Sequence, residues 1–250
     1  MFIKFCESKH NLAKCCTTVG IGTLQVYAED DQKTYRYDGE EGHHKVVNNG
    51  VAMHIGGYSS DRLPNGELAT FGVMTPPGAR FKTSFQFPNC YVFCFSQDVT
   101  PTVELAKELS DKYDDWFEIN EPQQFASLVG QFLLNQLSLS DLDVPDNTPL
   151  NWFSGLNMQI VHRACSYDGR LMELNPGAED QVVHLDNNMI QWAFAKEPNH
   201  AHFKEYRILF VLHDAQGQIV PVKKNVKVVK LIPDLGVSTC EVPMGEKSSS

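Results

Sequence analysis

Several common enzyme motifs are missing from this sequence of 250 residues. There is no G-x-x-x-x-G-K-[ST] phosphate loop and no G-x-S-x-G turn, so neither a P-loop nucleotide site nor the nucleophile elbow of an α/β-hydrolase is expected. The stretch "VGIGTL" has two glycines of a dinucleotide fingerprint, but it lacks the third and leads into a predicted strand. A Rossmann-type NAD site is therefore not expected.

Cysteine pairs with the spacing of metal or redox sites are also missing. The seven cysteines form no C-x-x-C motif, which favours free thiols in a reducing cytoplasm. Nine histidines are present, but no acid or cysteine near His200 and His202 completes a recognised ligand set. We therefore expect no bound metal.

Long apolar runs are absent as well. No window approaches the ~18 uninterrupted apolar residues of a transmembrane helix, and the first ten residues lack the apolar core of a signal peptide. We expect a cytoplasmic protein with no membrane partner. The net charge of −10 disfavours non-specific binding to nucleic acid and is compatible with a basic protein partner, such as an antitoxin.

Hydrophobic periodicity predicts an α+β fold. Strands are expected at residues 2–6, 22–27, 90–96 and 115–119, and helices at 8–19, 100–113 and 121–137. Thr100 is the expected cap of the second helix, with Pro101 at its first position. The last third reads as β structure, with hairpins at Asp168-Gly169 and around Gly217. We expect one domain over residues 1–243, followed by a polar flexible tail at 244–250.

One strand carries charge where core strands are usually apolar. In "FKEYRILFVL", Glu205 stands at the head of the strand, with Arg207 two residues later on the same face. This spacing permits a simple ion pair between Glu205 and Arg207 or Lys204. It also permits a carboxylate held rigidly at the floor of a cleft.

The order of three pieces resembles the ADP-ribosyltransferase fold. "FIKFC" is a strand with a polar residue, "CYVFCFSQD" is an aromatic strand that ends in serine and runs into a helix, and "KEYRILF" presents a glutamate at the head of a strand. Lys4 stands where that family has histidine or arginine. The stretch "IGTLQVYAEDDQKTYRYDGEEG" is similar to a bacterial group of toxin and phage-defence proteins within the family.

The resemblance implies a single ADP-ribosyltransferase-like domain with split mixed β-sheets and flanking helices. It also implies NAD+ as co-substrate, Glu205 as the catalytic residue and RNA, rather than protein, as the favoured acceptor. The residues expected to bind NAD+ are Lys4, Tyr27, Arg36, Tyr91, Ser96 and Arg207. Tyr27 and Tyr91 would stack on nicotinamide, Ser96 would bind the ribose, and Lys4 or Arg36 would meet the pyrophosphate.

Two other functions fit the same sequence. One is a non-catalytic binding module, in which the acidic loop from Glu29 to Glu41 docks a basic partner. The other is an NAD+ glycohydrolase built on the same carboxylate.

Overall fold

The computed structural model describes residues 1–14, 16–29, 42–62, 68–176, 183–186 and 190–231. Within these ranges the chain is mixed α+β, with mostly antiparallel sheets and few helices, which confirms the expected class. No helix in these ranges is long and apolar enough to cross a membrane. The single domain over residues 1–243 stays a prediction, and the tail at 244–250 lies outside the described residues.

The strands and helices are numbered in chain order. The strands are β1 Phe2–Cys6, β2 Thr18–Thr23, β3 His43–Asn49, β4 Met53–Arg62, β5 Leu68–Thr75, β6 Arg80–Gln86, β7 Tyr91–Gln97, β8 Asp115–Ile119, β9 Asn157–Ala164, β10 Leu171–Leu174, β11 Val183–Asp186, β12 Glu205–His213, β13 Ile219–Val220 and β14 Lys227–Lys230. The α-helices are α1 Leu24–Glu29, α2 Val103–Leu109, α3 Pro122–Gln136 and α4 Leu150–Phe153.

The largest sheet has the order β13-β12-β7-β1-β8, with β9 paired to β12 and β2 joining β7 to β14. Its centre is β7 and β12, the two most apolar runs of the chain, which pair antiparallel from Tyr91 with Phe210 to Ser96 with Glu205. One face of this pair packs against α3 and the other against the segment around Phe194. Burial on both faces explains why residues 91–95 of β7 and 208–212 of β12 are continuously apolar rather than alternating.

Two strands share the edge of β7 that lies opposite β12, and they diverge to form a fork. β1 pairs with the end of β7 through Ile3 and Ser96, whereas β2 pairs with its beginning through Gly22 and Val92. Since β12 occupies the other edge of β7, both strands share this one. Within the described part of the chain, no strand pairs with residues 93–95 on this edge, and a cleft opens there between β1 and β2.

Several predicted elements are confirmed. Strands form at the predicted places in β1, β7 and β8, and α2 and α3 are helices. β12 and β13 form a hairpin around Gly217, which has φ +78°, a left-handed conformation that glycine adopts without steric cost.

The predicted helix at residues 8–19 is wrong. The structure has one 3-10 turn, Ser8–His10, and then β2. Asn11, which is 1% exposed, explains the difference. Its amide donates to Asp115 and to the Trp116 carbonyl, and its Oδ1 accepts from Ala13 N. Asparagine bonds of this kind compete with helical backbone bonds.

Two predictions about β structure are also wrong. The strand predicted at 22–27 ends at Thr23, and α1 begins at Leu24, where Gln25 N donates to Asn89 Oδ1. No hairpin forms at Asp168-Gly169, because β9 pairs with β12 whereas β10 pairs in parallel with β3 in a separate sheet. Both outcomes depend on partners distant in the sequence.

Candidate functional site

The fork between β1 and β2 holds two adjoining cavities. The smaller one, of about 60 Å³, lies over the beginning of β12. The larger one, of about 390 Å³, extends along β1 and β2. Both are lined by Lys4, Phe5, Tyr27 and Tyr113. They are therefore two parts of one cleft.

Glu205 lies at the floor of the smaller cavity, opposite Ser96 on β7. Its side chain keeps 17% exposure and carries two ion pairs. Arg207 Nε contacts Oε1 at 2.5 Å, and Lys196 Nζ contacts Oε2 at 3.0 Å. Lys204, the other lysine considered from the sequence, instead donates to the Asp98 carbonyl oxygen at 3.0 Å.

The two cations determine the ionisation of Glu205. Burial by itself would raise the pKa of this carboxyl, but the charges of Arg207 and Lys196 outweigh it and hold the pKa well below its usual range. Glu205 is therefore a carboxylate at neutral pH. Burial, with the charge of Glu205 adding to it, raises the pKa of the neighbouring Cys94 thiol to about 12.

Two further predicted residues come to the same cavity. Lys4 projects into the fork, where Nζ donates to the Cys94 carbonyl oxygen at 2.6 Å and lies 4.6 Å from the centre of the Phe93 ring. Ser96 is 4% exposed and faces Glu205 across the β7–β12 pair. Lys4, Ser96 and Glu205 come from three strands that are distant in the sequence.

Tyr27 also lines both cavities, but from α1 rather than from the strand that the sequence predicts. Its ring packs closely over Gly22 of β2. A Cβ atom on Gly22 would lie 2.9 Å from Tyr27 Cε2, closer than real Cβ contacts. The missing side chain of Gly22 thus provides the space for Tyr27 at the wall of the cleft.

The chain is strained beside the Ser96–Glu205 pair. Asp98 and Lys204, just beyond β7 and just before β12, have φ values of 51° and 44°, in the left-handed region that costs energy for residues other than glycine. Gln97 N donates to the Lys204 carbonyl oxygen at 2.9 Å. Backbone strain of this kind often accompanies functional sites.

Two of the remaining predicted binding residues, Tyr91 and Arg207, are buried, and the third lies outside the described residues. Tyr91 is 0% exposed within the core cluster, at the opposite end of β7 from Ser96. Arg207 lines the smaller cavity but is 1% exposed, and it donates to Glu205 and to the Ala193 carbonyl oxygen. Arg36 and residues 30–41 of the acidic loop lie outside the described residues.

Sequence reasoning missed Lys196, Tyr113 and Tyr167. Lys196 is the last residue of "IQWAFAK", and a charge directly after an apolar run was the signal available in the sequence. Its side chain is 4% exposed. Tyr113 follows α2 and reaches both cavities. Tyr167 Oη accepts a 2.6 Å hydrogen bond from Glu205 N, a contact across 38 residues that nothing local indicates.

No group of histidine, cysteine and acidic side chains in the described ranges could hold a metal ion. Comparison of the chain with models of known protein families, with curated proteins and with solved structures found no match.

Proposed function

We propose that this protein is an ADP-ribosyltransferase that uses NAD+ to modify a macromolecule. The observation that carries the proposal is the Glu205 carboxylate at the floor of a forked cleft, held from two sides by cations. The resemblance to ADP-ribosyltransferases likewise expects the catalytic glutamate at the head of this strand.

The chemistry requires a carboxylate at this kind of position. When the bond between nicotinamide and ribose C1′ breaks, its electron pair leaves with nicotinamide and positive charge develops on the ribose. A fixed carboxylate beside the ring stabilises that charge, as it does at glycosidic centres. A nucleophilic atom of the acceptor then forms a bond to C1′ and loses its proton to water. Glu205 takes the carboxylate role, and the strand β12 holds it rigidly.

The other residues of the cleft match the parts of NAD+. Lys4 supplies a cation for the pyrophosphate, Tyr27 supplies an aromatic face for nicotinamide, and Ser96 supplies a polar group for the ribose. The larger cavity, about 390 Å³, falls within the ~300–1,000 Å³ range of ligand pockets. The smaller one, about 60 Å³, is well below it, so side chains at its wall must move when NAD+ enters.

RNA remains the favoured acceptor, through the similarity to bacterial toxin and phage-defence proteins. The protein would act in the cytoplasm, where an antitoxin would restrain it. The net charge of −10 opposes RNA binding at long range, so the acceptor needs a direct test.

The ion pairs of Glu205 favour a second candidate, a non-catalytic binding module. In that case Lys196 and Arg207 only stabilise the beginning of β12 through their ion pairs with Glu205, and NAD+ is not consumed. An NAD+ glycohydrolase would consume NAD+ but leave all of the ADP-ribose free in solution.

The deciding experiment incubates the protein with NAD+ labelled in the adenosine part, RNA and cell protein. We expect labelled RNA, and a fall of roughly 100-fold or more in turnover for Glu205→Gln, because one preorganised charge is lost from the transition state. Glu173→Gln, on β10 and exposed, is the matched control and should keep its activity.

Stability must be measured in the same experiment. Glu205→Gln leaves Lys196 and Arg207 without their carboxylate, and removing one partner of a buried pair costs about 3–5 kcal/mol. The assay is therefore run at a temperature where circular dichroism shows both proteins folded. A folded Glu205→Gln protein with full turnover would contradict the proposal, and label found only as free ADP-ribose would identify a glycohydrolase.

A further inference from the structure

Lys196 is a lysine enclosed at the edge of the cleft. The residue is 3% exposed, yet it lines the smaller cavity and its ammonium is 3.0 Å from Glu205 Oε2. Enclosing a lysine side chain is costly unless its charge is paired. Among the described residues that line the smaller cavity, Glu205 is the one carboxylate, and it is the partner of Lys196.

The backbone around Lys196 is held in place by a second segment. Lys196 N donates to the Ser166 carbonyl oxygen at 2.8 Å, and Ser166 N donates to the Phe194 carbonyl oxygen at 2.9 Å. The buried guanidinium of Arg170 donates twice, at 3.2 Å each, to the Ala195 carbonyl oxygen. The backbone that bears the Lys196 side chain is therefore fixed by hydrogen bonds to Ser166 and Arg170.

We propose that Lys196 is a positioning residue that keeps the Glu205 carboxylate ionised and fixes the orientation of Oε2 in the cavity. This inference rests on the proposed function. Arg207 holds Oε1, and Lys196 holds Oε2. With a cation on each oxygen, the plane of the carboxylate is fixed before any substrate binds, which is what preorganised electrostatic stabilisation requires.

The groups that face Glu205 indicate the effect of removing Lys196. Arg207 and Lys196 favour the carboxylate, whereas burial disfavours it. Cys94, Cys165 and Tyr167 also lie near enough to interact with its charge, and burial raises the pKa of each of these three, so they stay neutral. Lys4, a third cation, also lines the cavity. Without Lys196 the carboxylate loses one of the two cations that are paired with it and oppose burial, and the pKa of Glu205 must rise.

The test compares Lys196→Met, which keeps the length of the side chain without the charge, with Lys196→Arg, which keeps the charge. Lys204→Met is the control, because Lys204 is exposed and one residue from Glu205, but bonds to Asp98. Each protein is assayed for kcat/KM across pH, and the Glu205 carboxyl is titrated by ¹³C NMR, which needs no turnover.

We expect the acid limb of kcat/KM to move to higher pH in Lys196→Met only, with activity falling about tenfold per pH unit below that limb. Lys196→Arg should restore the wild-type profile. The NMR titration of Glu205 should move in the same direction in Lys196→Met. These shifts separate a positioning role from a structural role, which would lower stability without moving the pH profile.

The outcomes distinguish this inference from the proposed function. A Glu205 titration that is unchanged in folded Lys196→Met would overturn the role of Lys196, whether or not NAD+ is consumed. If that titration shifts and no protein consumes NAD+, the ionising role stands and the proposed function fails. Should Lys196→Met not fold, the wild-type titration decides, because a Glu205 carboxyl that titrates at or above its ordinary pKa contradicts the inference.

Discussion

Gly22 illustrates how a single residue shapes the cleft without contributing a side chain. It lies on β2 at the point where that strand joins β7, and the ring of Tyr27 occupies the space that a Cβ atom would take. Gly20, two residues earlier on the same strand, would place its Cβ 3.7 Å from Val226 Cγ1, an ordinary contact. The two glycines therefore differ in what an added methyl group would displace.

We expect Gly22→Ala to push the Tyr27 ring out of place and to raise the KM for NAD+ by roughly tenfold, which corresponds to about 1.4 kcal/mol of binding. Gly20→Ala should leave KM close to that of the wild type. Steady-state kinetics, with thermal melting of each variant, provides the measurement. An equal KM for the two folded variants would mean that Tyr27 does not contact NAD+.

The helix α2 packs against a strand that forms one side of the cleft, and its Leu109 lines the smaller cavity. Its residues Ala106, Leu105 and Leu109 pack with Ile3 and Phe5 of β1, the strand that carries Lys4. The sequence indicates Thr100 as the cap of this helix, but the structure has Thr102 as the N-cap, and its side-chain oxygen accepts from Leu105 N at 3.1 Å. Capping at Thr102 satisfies a backbone donor of the first turn that would otherwise lack a partner.

Thr102→Ala should lower the free energy of unfolding by about 1 kcal/mol, which in a chain of this size lowers the Tm by about 2–4 °C. Thr100→Ala should change the Tm by much less. Differential scanning calorimetry of the two variants tests the assignment. A larger loss for Thr100→Ala would restore the cap indicated by the sequence.

At the scale of the whole molecule, positively charged side chains cluster at one cavity of a chain whose net charge is negative. The net charge is −10, yet the smaller cavity is lined by Lys4, Lys196 and Arg207, against Glu205. A local excess of positive charge at low exposure favours an anionic ligand more than the total charge would indicate, which suits the proposed binding of NAD+. The described cysteines (Cys6, Cys16, Cys90, Cys94 and Cys165) are free thiols.

Burial should protect most of these thiols from reagents. Cys6, Cys90 and Cys165 are at most 7% exposed, and burial raises the pKa of Cys6 and Cys94 to about 12. The reactive thiolate of Cys6 and Cys94 is therefore scarce at pH 8. We expect an aromatic disulfide reagent to titrate all seven cysteines in guanidinium, and to leave these four unreacted in the native protein. Rapid native reaction of all seven would contradict the burial described here.

Apolar runs and turn residues determined much of the fold without help from long-range contacts. Residues 90–95 and 208–212 are apolar at consecutive positions, a pattern that suits strands buried on both faces. The stripe of α3 and the hairpin at Gly217 likewise follow from local periodicity and from the freedom of glycine to adopt positive φ. Glu205 was a candidate from the sequence because it is a charge at the head of such a strand and because the resemblance expects a glutamate there.

Tertiary structure alone decided which side chains meet at Glu205. Lys196 and Tyr167 reach it from segments 9 and 38 residues away in the chain, and no periodicity encodes those contacts. Tyr27 and Tyr91 are the same residue type and both lie within predicted strands, yet one lines the cleft and the other is 0% exposed in the core. The reason is that β1 and β2 share one edge of β7, and strand pairing between distant segments depends on the packing of the whole sheet rather than on local sequence.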